Sequence, residues 1–198
     1  AELQKIGDEN FAVTSLRNST AYGQSPRLRT DLAVNNLLAY AVSIDEVKLM
    51  SDGTSWRPLA HCRDIARAFC ALSEAPIEDV RGLAVNIGGN VENYQIRDVA
   101  KIVHEQCAGS QITIATEAAN DPRDYRVSFD LLGKVLPNFE LEWNVAKAVK
   151  VMFAEYNARE NFKAEFEGGR YTRLVTLQGR LAKGDLPHYF TELSGTQN

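Results

Sequence analysis

The run SDGTSWRPLAHCRDIARAF at residues 51–69 sets a glycine turn, an arginine, a histidine and an aspartate close together. Gly53 permits a turn with positive φ, and the next strand would begin near Arg57. A planar guanidinium at a sheet end can grip a phosphate or carboxylate through two parallel hydrogen bonds. The competing reading is a surface arginine that pairs with Asp52 or Glu46. His61 lies at the far end of the same strand, where it could exchange a proton near neutral pH or bond to nearby backbone. Asp64 falls in the first turn of the next helix. Its carboxylate suits the positive end of a helix dipole, a structural role.

Three further groups stand out. RNSTAYG (17–23) reads as a strand end leading into a small-residue bend. In open α/β sheets ligands lie beyond the carboxyl ends of strands, so Ser19 and Thr20 either face a ligand or close a turn on their own backbone. Asn35 and Asn36 sit inside a predicted helix. Asparagine is a poor helix-interior residue, so at least one is expected to reach a specific partner; the alternative is a helix-surface amide. DPRDYRVSFD (121–130) carries Arg123 and Arg126 beside Asp124 and Asp130. An extended chain would turn the two arginines to opposite faces, leaving one of them to meet the ligand of Arg57. A solvated charge cluster is the plainer reading.

Hydrophobic period and breaker residues supply the scaffold around these groups. Residues 1–6 read as a helix tail closed by Gly7, and FAVTSLR (11–17) as a buried strand. STAYGQSPRLR is a loop broken by Gly23 and Pro26. A helix is predicted over 31–42, capped by Thr30 or Asp31, with Leu32, Leu37, Leu38 and Ala41 inward. Short strands come next at 47–50 and 57–61, with Pro58 placing the second at an edge or a strand start. Helix 63–74 turns Ile65, Ala66, Phe69 and Leu72 to one face. GLAVNIGG (82–89) is a strand running into a turn, then come helix 95–107 and strand QITIAT. Helices are predicted at 130–136 and 144–158, and a partly helical tail ends in residues of disordered character. The alternation is that of an α/β chain.

Composition narrows the function classes. Net charge is −4, which argues against nucleic-acid binding but permits a small anion held by a few arginines. Cys62, Cys70 and Cys107 are odd in number and lack metal spacing, which favours a reduced, cytoplasmic compartment. No apolar run has the length of a membrane span and no signal peptide is visible. The opening AELQKIGDENF begins without Met and reads as mid-helix sequence. The chain carries no HExxH, no CxxC and no acid–base carboxylate pair, and GGN at 88–90 lacks the spacing of a dinucleotide fingerprint.

Five segments in this order resemble the C-terminal part of the extended short-chain dehydrogenase/reductases, the NAD-dependent nucleotide-sugar epimerases and dehydratases. They are SLRNSTAYG, LAVNNLLAYA, VKLMSDGTSWRPLAHCRDIARAF, LAVNIGG with YQIRDVAKIV, and DYRVSFDLLGKVL. The resemblance spans residues 1 to about 155. It implies an α/β fold that holds the substrate-binding portion of a Rossmann-type epimerase and lacks the N-terminal dinucleotide-binding half. Residues 1–19 would be the last helix tail and strand of the Rossmann portion. Residues 20–158 would form the substrate-binding portion, with 82–90 returning to the main sheet, and 159–198 a partly helical C-terminal extension.

The resemblance also implies roles. Arg57 takes the place of the arginine that binds the diphosphate of a nucleotide sugar, and Met50 the place whose backbone meets the nucleobase. Asn36 matches the helix asparagine at the nucleotide sugar. Arg126 best matches the second phosphate-binding arginine, with Arg123 as the other choice. Thr20 stands where many members have a substrate-touching asparagine, and Cys62 where an aliphatic residue is usual. Asn18, Ser19 and Ala21 lie where the family's chain passes the nicotinamide. The glycine-rich NAD motif and the catalytic Tyr-x-x-x-Lys belong ahead of Ala1, and neither Tyr22 nor Tyr40 is followed by a lysine at that spacing. The parent would use NAD, while this chain alone would bind none and turn nothing over. Its expected partners are a nucleotide sugar, with no nucleic acid and no membrane, and either a second copy or an N-terminal half that covers strand 11–17. Two rival expectations remain: a non-catalytic binding module derived from the family, and part of an NAD(P)-dependent carbonyl reductase.

Overall fold

A computed structural model describes residues 2–8, 10–115 and 123–185. The order is α1 (Glu2–Lys5), β1 (Ser15–Asn18), β2 (Thr20–Tyr22), α2 (Ala33–Ile44), β3 (Glu46–Leu49), β4 (Trp56–His61), α3 (Cys62–Glu74), α4 (Ile77–Val80) and β5 (Ala84–Ile87). A 3-10 turn at Asn90–Glu92 leads to β6 (Asn93–Gln95), α5 (Ile96–Gln106), β7 (Gln111–Ile114), α6 (Asp130–Val135), α7 (Val145–Ala158), α8 (Phe162–Glu167) and α9 (Arg173–Ala182). The α/β alternation read from the sequence holds.

Among the described residues the strands pair in three small sheets. β1 lies parallel to β5, with Ser15 opposite Ala84 and Asn18 opposite Ile87, and β3 lies parallel to β7. The third sheet has the order β2-β4-β6. β4 changes partner along its length. Trp56–Pro58 runs antiparallel to β6, and Leu59–His61 runs parallel to β2. Pro58 is therefore in a central strand rather than at the expected edge. It is accommodated because its ladder to β6 ends there, so the missing N–H interrupts no longer run of bonds.

α2 forms because Val34, Leu37, Leu38 and Ala41 fall on one helical face, and all four are buried. They meet β3, α5, α7 and α8 in the main core, together with Val99, Val103, Val149 and Met152. A second core gathers Ala68, Leu72, Val85, Ile87 and Leu132 between α3, β5 and α6.

Several sequence expectations need correction. The strand predicted over 11–17 begins only at Ser15 and ends at Asn18. It is half-buried, with Arg17 exposed and Phe11 49% exposed. Apolar β-type residues before Ser15 are not by themselves a ladder. The 19–29 loop contains β2, whose Ala and Tyr resemble loop composition but pair with Leu59–His61 of β4. Neither Thr30 nor Asp31 caps α2. The cap position is Leu32, and no side chain bonds there. Asp31 is instead drawn off by Arg29, and Thr30 is buried with its backbone N–H donating to the Tyr171 carbonyl. In α3 the buried line is Asp64, Ala68 and Leu72, while Ala66 and Phe69 face outward. The tail's last residues and Asp121–Pro122 lie outside the described residues.

Candidate functional site

The start of β4 and the asparagines of the 90–93 turn hold the segment 123–130 in place. The Trp56 N–H donates to Asp124 Oδ1 at 2.8 Å. One Arg57 nitrogen donates to the Trp56 carbonyl at 2.6 Å and also reaches the Arg123 carbonyl. Asn93 is a two-way clamp: its Nδ2 donates to the Val127 carbonyl at 3.0 Å and its Oδ1 accepts the Val127 N–H at 2.9 Å. Asn90 accepts the Phe129 N–H at 2.9 Å and donates to Asp130 at 2.7 Å. Sequence reasoning missed both asparagines. The signal is present as N-x-x-N directly after the Gly88–Gly89 turn, where amides are placed to hold a neighbouring backbone.

This arrangement alters what Arg57 does. Rather than projecting from the sheet end, as its position after the glycine turn suggests, it is buried at 6% exposure, under the chain at 123 and 5.8 Å from the Tyr125 ring. Arg126 is exposed, with its guanidinium 4.4 Å above the Trp56 ring. A cleft of about 440 Å³ opens beside it, lined by Trp56, Asn90, Asn93, Arg126, Ser128 and Asp130. A stacked guanidinium keeps its forked edge available for an anionic oxygen. Hydrogen bonds from Asn90 and Ser128 hold the Asp130 carboxyl below its usual range. Asp130 thus remains a carboxylate, suited to accept hydroxyls rather than to meet a phosphate.

The other predicted site residues are dispersed. Arg123 contributes its carbonyl to Arg57 and is otherwise exposed. Asn36 donates to the Thr30 carbonyl at 2.7 Å and lines a groove with Tyr40, Phe166 and Val175 beside the tail. Met50 is 58% exposed beyond the end of β3. Thr20 and Ala21 lie in β2 opposite Leu59 and Ala60, two and three strand positions from Arg57. Asn18 ends β1 exposed. The Ser19 hydroxyl and N–H both donate to the Ile87 carbonyl, so against a dinucleotide Asn18 offers a free amide edge and Ser19 does not.

Beneath β4 lies a buried polar junction. His61 is 1% exposed, caps α3 by accepting the Arg63 N–H, and stacks on Trp143 at 4.2 Å. Burial pushes its pKa down to about 4, so the imidazole is neutral and structural. Asp64 is equally buried and accepts the N–H groups of Glu142 and Trp143 as well as Arg67. Burial raises the Glu92 carboxyl to about 7, and Tyr94 donates to it at 3.4 Å. Burial and the nearby Glu92 charge raise the Tyr22 phenol well above its ordinary value, which disfavours any tyrosinate there.

Residues 2–88 match the model of the NAD dependent epimerase/dehydratase family. Over that segment, less than half of the chain, the sequence is similar to this family. Among solved structures it is similar to UDP-glucuronic acid 4-epimerase from Bacillus cereus, with 20% identity, a TM-score of 0.62, and 75% of this chain on 46% of that one. It is likewise similar to an NAD-dependent NDP-hexosamine 5,6-dehydratase of tunicamycin biosynthesis (18% identity, TM-score 0.62, 73% of this chain on 46% of that one). An epimerase from Methanothermobacter thermautotrophicus matches at 16% identity and TM-score 0.63, over 80% of this chain and 46% of that one. The fold is the α/β fold of the Rossmann-type epimerases, and the chain spans about half the length of the structures it matches.

Proposed function

We propose that this chain supplies the substrate-binding portion of an NAD-dependent nucleotide-sugar epimerase or dehydratase and grips the diphosphate of the nucleotide sugar. The observation that carries the reading is the β4 assembly: Arg57 fixed beneath 123–126, with Arg126 stacked on Trp56 at the mouth of a polar cleft. Arg57 sets the shape and potential of the site from below, Arg126 makes the direct contact, and Asn90, Asn93 and Asp130 offer partners for hydroxyls. Names among the structural neighbours support the substrate class, since the Bacillus cereus enzyme was solved with UDP-glucuronic acid and NAD. NAD, held mainly by a dinucleotide-binding half, would supply hydride transfer. Asn18, Ser19 and Ala21 would then form one edge of the nicotinamide pocket, with Asn18 the residue free to contact it.

Calorimetry with UDP and UDP-sugars tests the grip. Arg126→Ala should weaken binding about tenfold or more, the loss expected for one charge-assisted hydrogen-bond pair, while leaving the thermal midpoint in place because the residue is exposed. Wild-type affinity retained in this variant would remove the clamp from β4.

A further inference from the structure

We propose that the arginine-lined cleft between the 25–29 loop and the C-terminal helices is a second anion site, built for a small ligand that carries a di- or triphosphate. The cleft has a volume of about 500 Å³ and shares no lining residue with the Arg126 cleft. Arg27, Arg29, Arg159, Arg170, Arg173 and Arg180 all line it, against Glu165 as the one acid among the described lining residues. These are six of the chain's 22 basic residues, gathered in a protein whose net charge is −4. None of the six is a lysine. Planar forked donors, rather than point charges, are what recognition of phosphate oxygens uses.

Local acids offset only part of this charge. Asp31 takes Arg29 in a two-bond pair at 2.7 and 3.0 Å, and Glu165 takes Arg170 at 3.1 Å. Arg27, Arg159, Arg173 and Arg180 have no ion pair among the described residues. Four like charges around one concavity repel each other, and a polyanion relieves that repulsion. The charge count favours a pyrophosphate-type group, which carries several negative charges, over a single carboxylate or monoester. The walls are also fixed. The Thr30 N–H donates to the Tyr171 carbonyl at 3.2 Å, Asn35 donates to the Arg29 carbonyl at 2.9 Å, and Leu28 and Tyr171 are anchored in the main core. The volume is that of a small-molecule pocket, and Leu28 and Leu177 give it an apolar side.

The test is calorimetric titration of the 198-residue chain with inorganic pyrophosphate at low salt, beside orthophosphate and poly-glutamate. Pyrophosphate should bind, and orthophosphate should bind about tenfold or more weakly. Arg27→Gln combined with Arg173→Gln should weaken pyrophosphate about tenfold or more, and Arg126→Ala should leave it within about twofold. Arg173→Lys keeps the charge but loses the fork, and should fall between wild type and the double variant. Circular dichroism and the thermal midpoint confirm that the variants, all at exposed positions, remain folded. The proposal is overturned by no pyrophosphate binding, by binding that only Arg126→Ala removes, or by poly-glutamate binding in its place. UDP-sugar affinity that Arg126→Ala leaves unchanged, with pyrophosphate binding intact, would instead strike the β4 reading and leave this one standing.

Discussion

Adjacent asparagines on α2 divide the work between them. Asn36 makes one partly buried bond to the Thr30 carbonyl. Asn35 is 2% exposed and makes three bonds: it accepts the Gly23 N–H at 3.0 Å and donates to the carbonyls of Gly23 at 3.2 Å and Arg29 at 2.9 Å. It therefore holds both ends of the loop that the α2 cap residues do not. Removing it strands three backbone groups. Asn35→Ala should cost about 2–4 kcal/mol, against about 1 kcal/mol for Asn36→Ala, read as the difference in urea midpoint. Equal costs would mean that the loop is held by packing alone. Residue type is enough to predict that one asparagine of this pair reaches a specific partner. Which one does so depends on the loop's path, and no local pattern carries that. Arg57 shows the same limit: its turn and strand are legible, but its cover by 123–126 depends on Asn90 and Asn93, more than thirty positions away.

Where β4 ends, α3 begins and the 3-10 turn at Asn90–Glu92 comes in beside β6, two titratable groups are buried with opposite effects. Glu92 is raised to about 7. Its contribution is full below its unfolded pKa near 4.5 and is lost as pH rises through about 7. His61 is lowered to about 4. Its contribution is full above its unfolded pKa near 6.5 and is lost as pH falls through about 4. Between about pH 4.5 and 6.5 the folded junction keeps a proton on Glu92 while the unfolded chain keeps one on His61, so these two slopes cancel. Glu92→Gln should leave stability falling with acidification from about pH 6.5 to 4. His61→Asn, which retains a capping side chain for α3, should leave it falling as pH rises from about 4.5 to 7. Each slope reaches at most about 1.4 kcal/mol per pH unit, measurable as urea midpoints across the range. Two flat profiles would show that water reaches both groups. The helices and most strands around this junction are legible from periodicity and breakers. β2 is not, because three residues of mixed character become a strand only through β4.

The family resemblance fades near residue 155, and by sequence alone residues 159–198 read as an extension. In the folded molecule residues 162–171 of that tail are part of the core. Phe162 is 2% exposed and stacks on Tyr156 at 4.2 Å and on Tyr171 at 5.5 Å, and Phe166 meets Tyr40 of α2 edge-on at 5.0 Å. Aromatic residues spaced through a charged segment give no helical stripe to read, so their burial emerges only once α2 and α7 present a surface. Each buried aromatic contributes about 1.5–3 kcal/mol, and a domain's whole margin is about 5–15 kcal/mol. Truncation after Ala158 should therefore remove much of that margin, with a broad, early unfolding transition. α9 buries no residue, so truncation after Thr172 should keep a cooperative transition within about 1 kcal/mol of the full chain. It would still delete Arg173 and Arg180 from the cleft. A chain ending at residue 172 that unfolds cooperatively but no longer binds pyrophosphate would separate the tail's two contributions: aromatic anchoring up to Tyr171, and charge beyond it. If the chain ending at residue 158 unfolded as cooperatively as the full one, the tail would be an appendage and the core assignment of Phe162 and Tyr171 would fail.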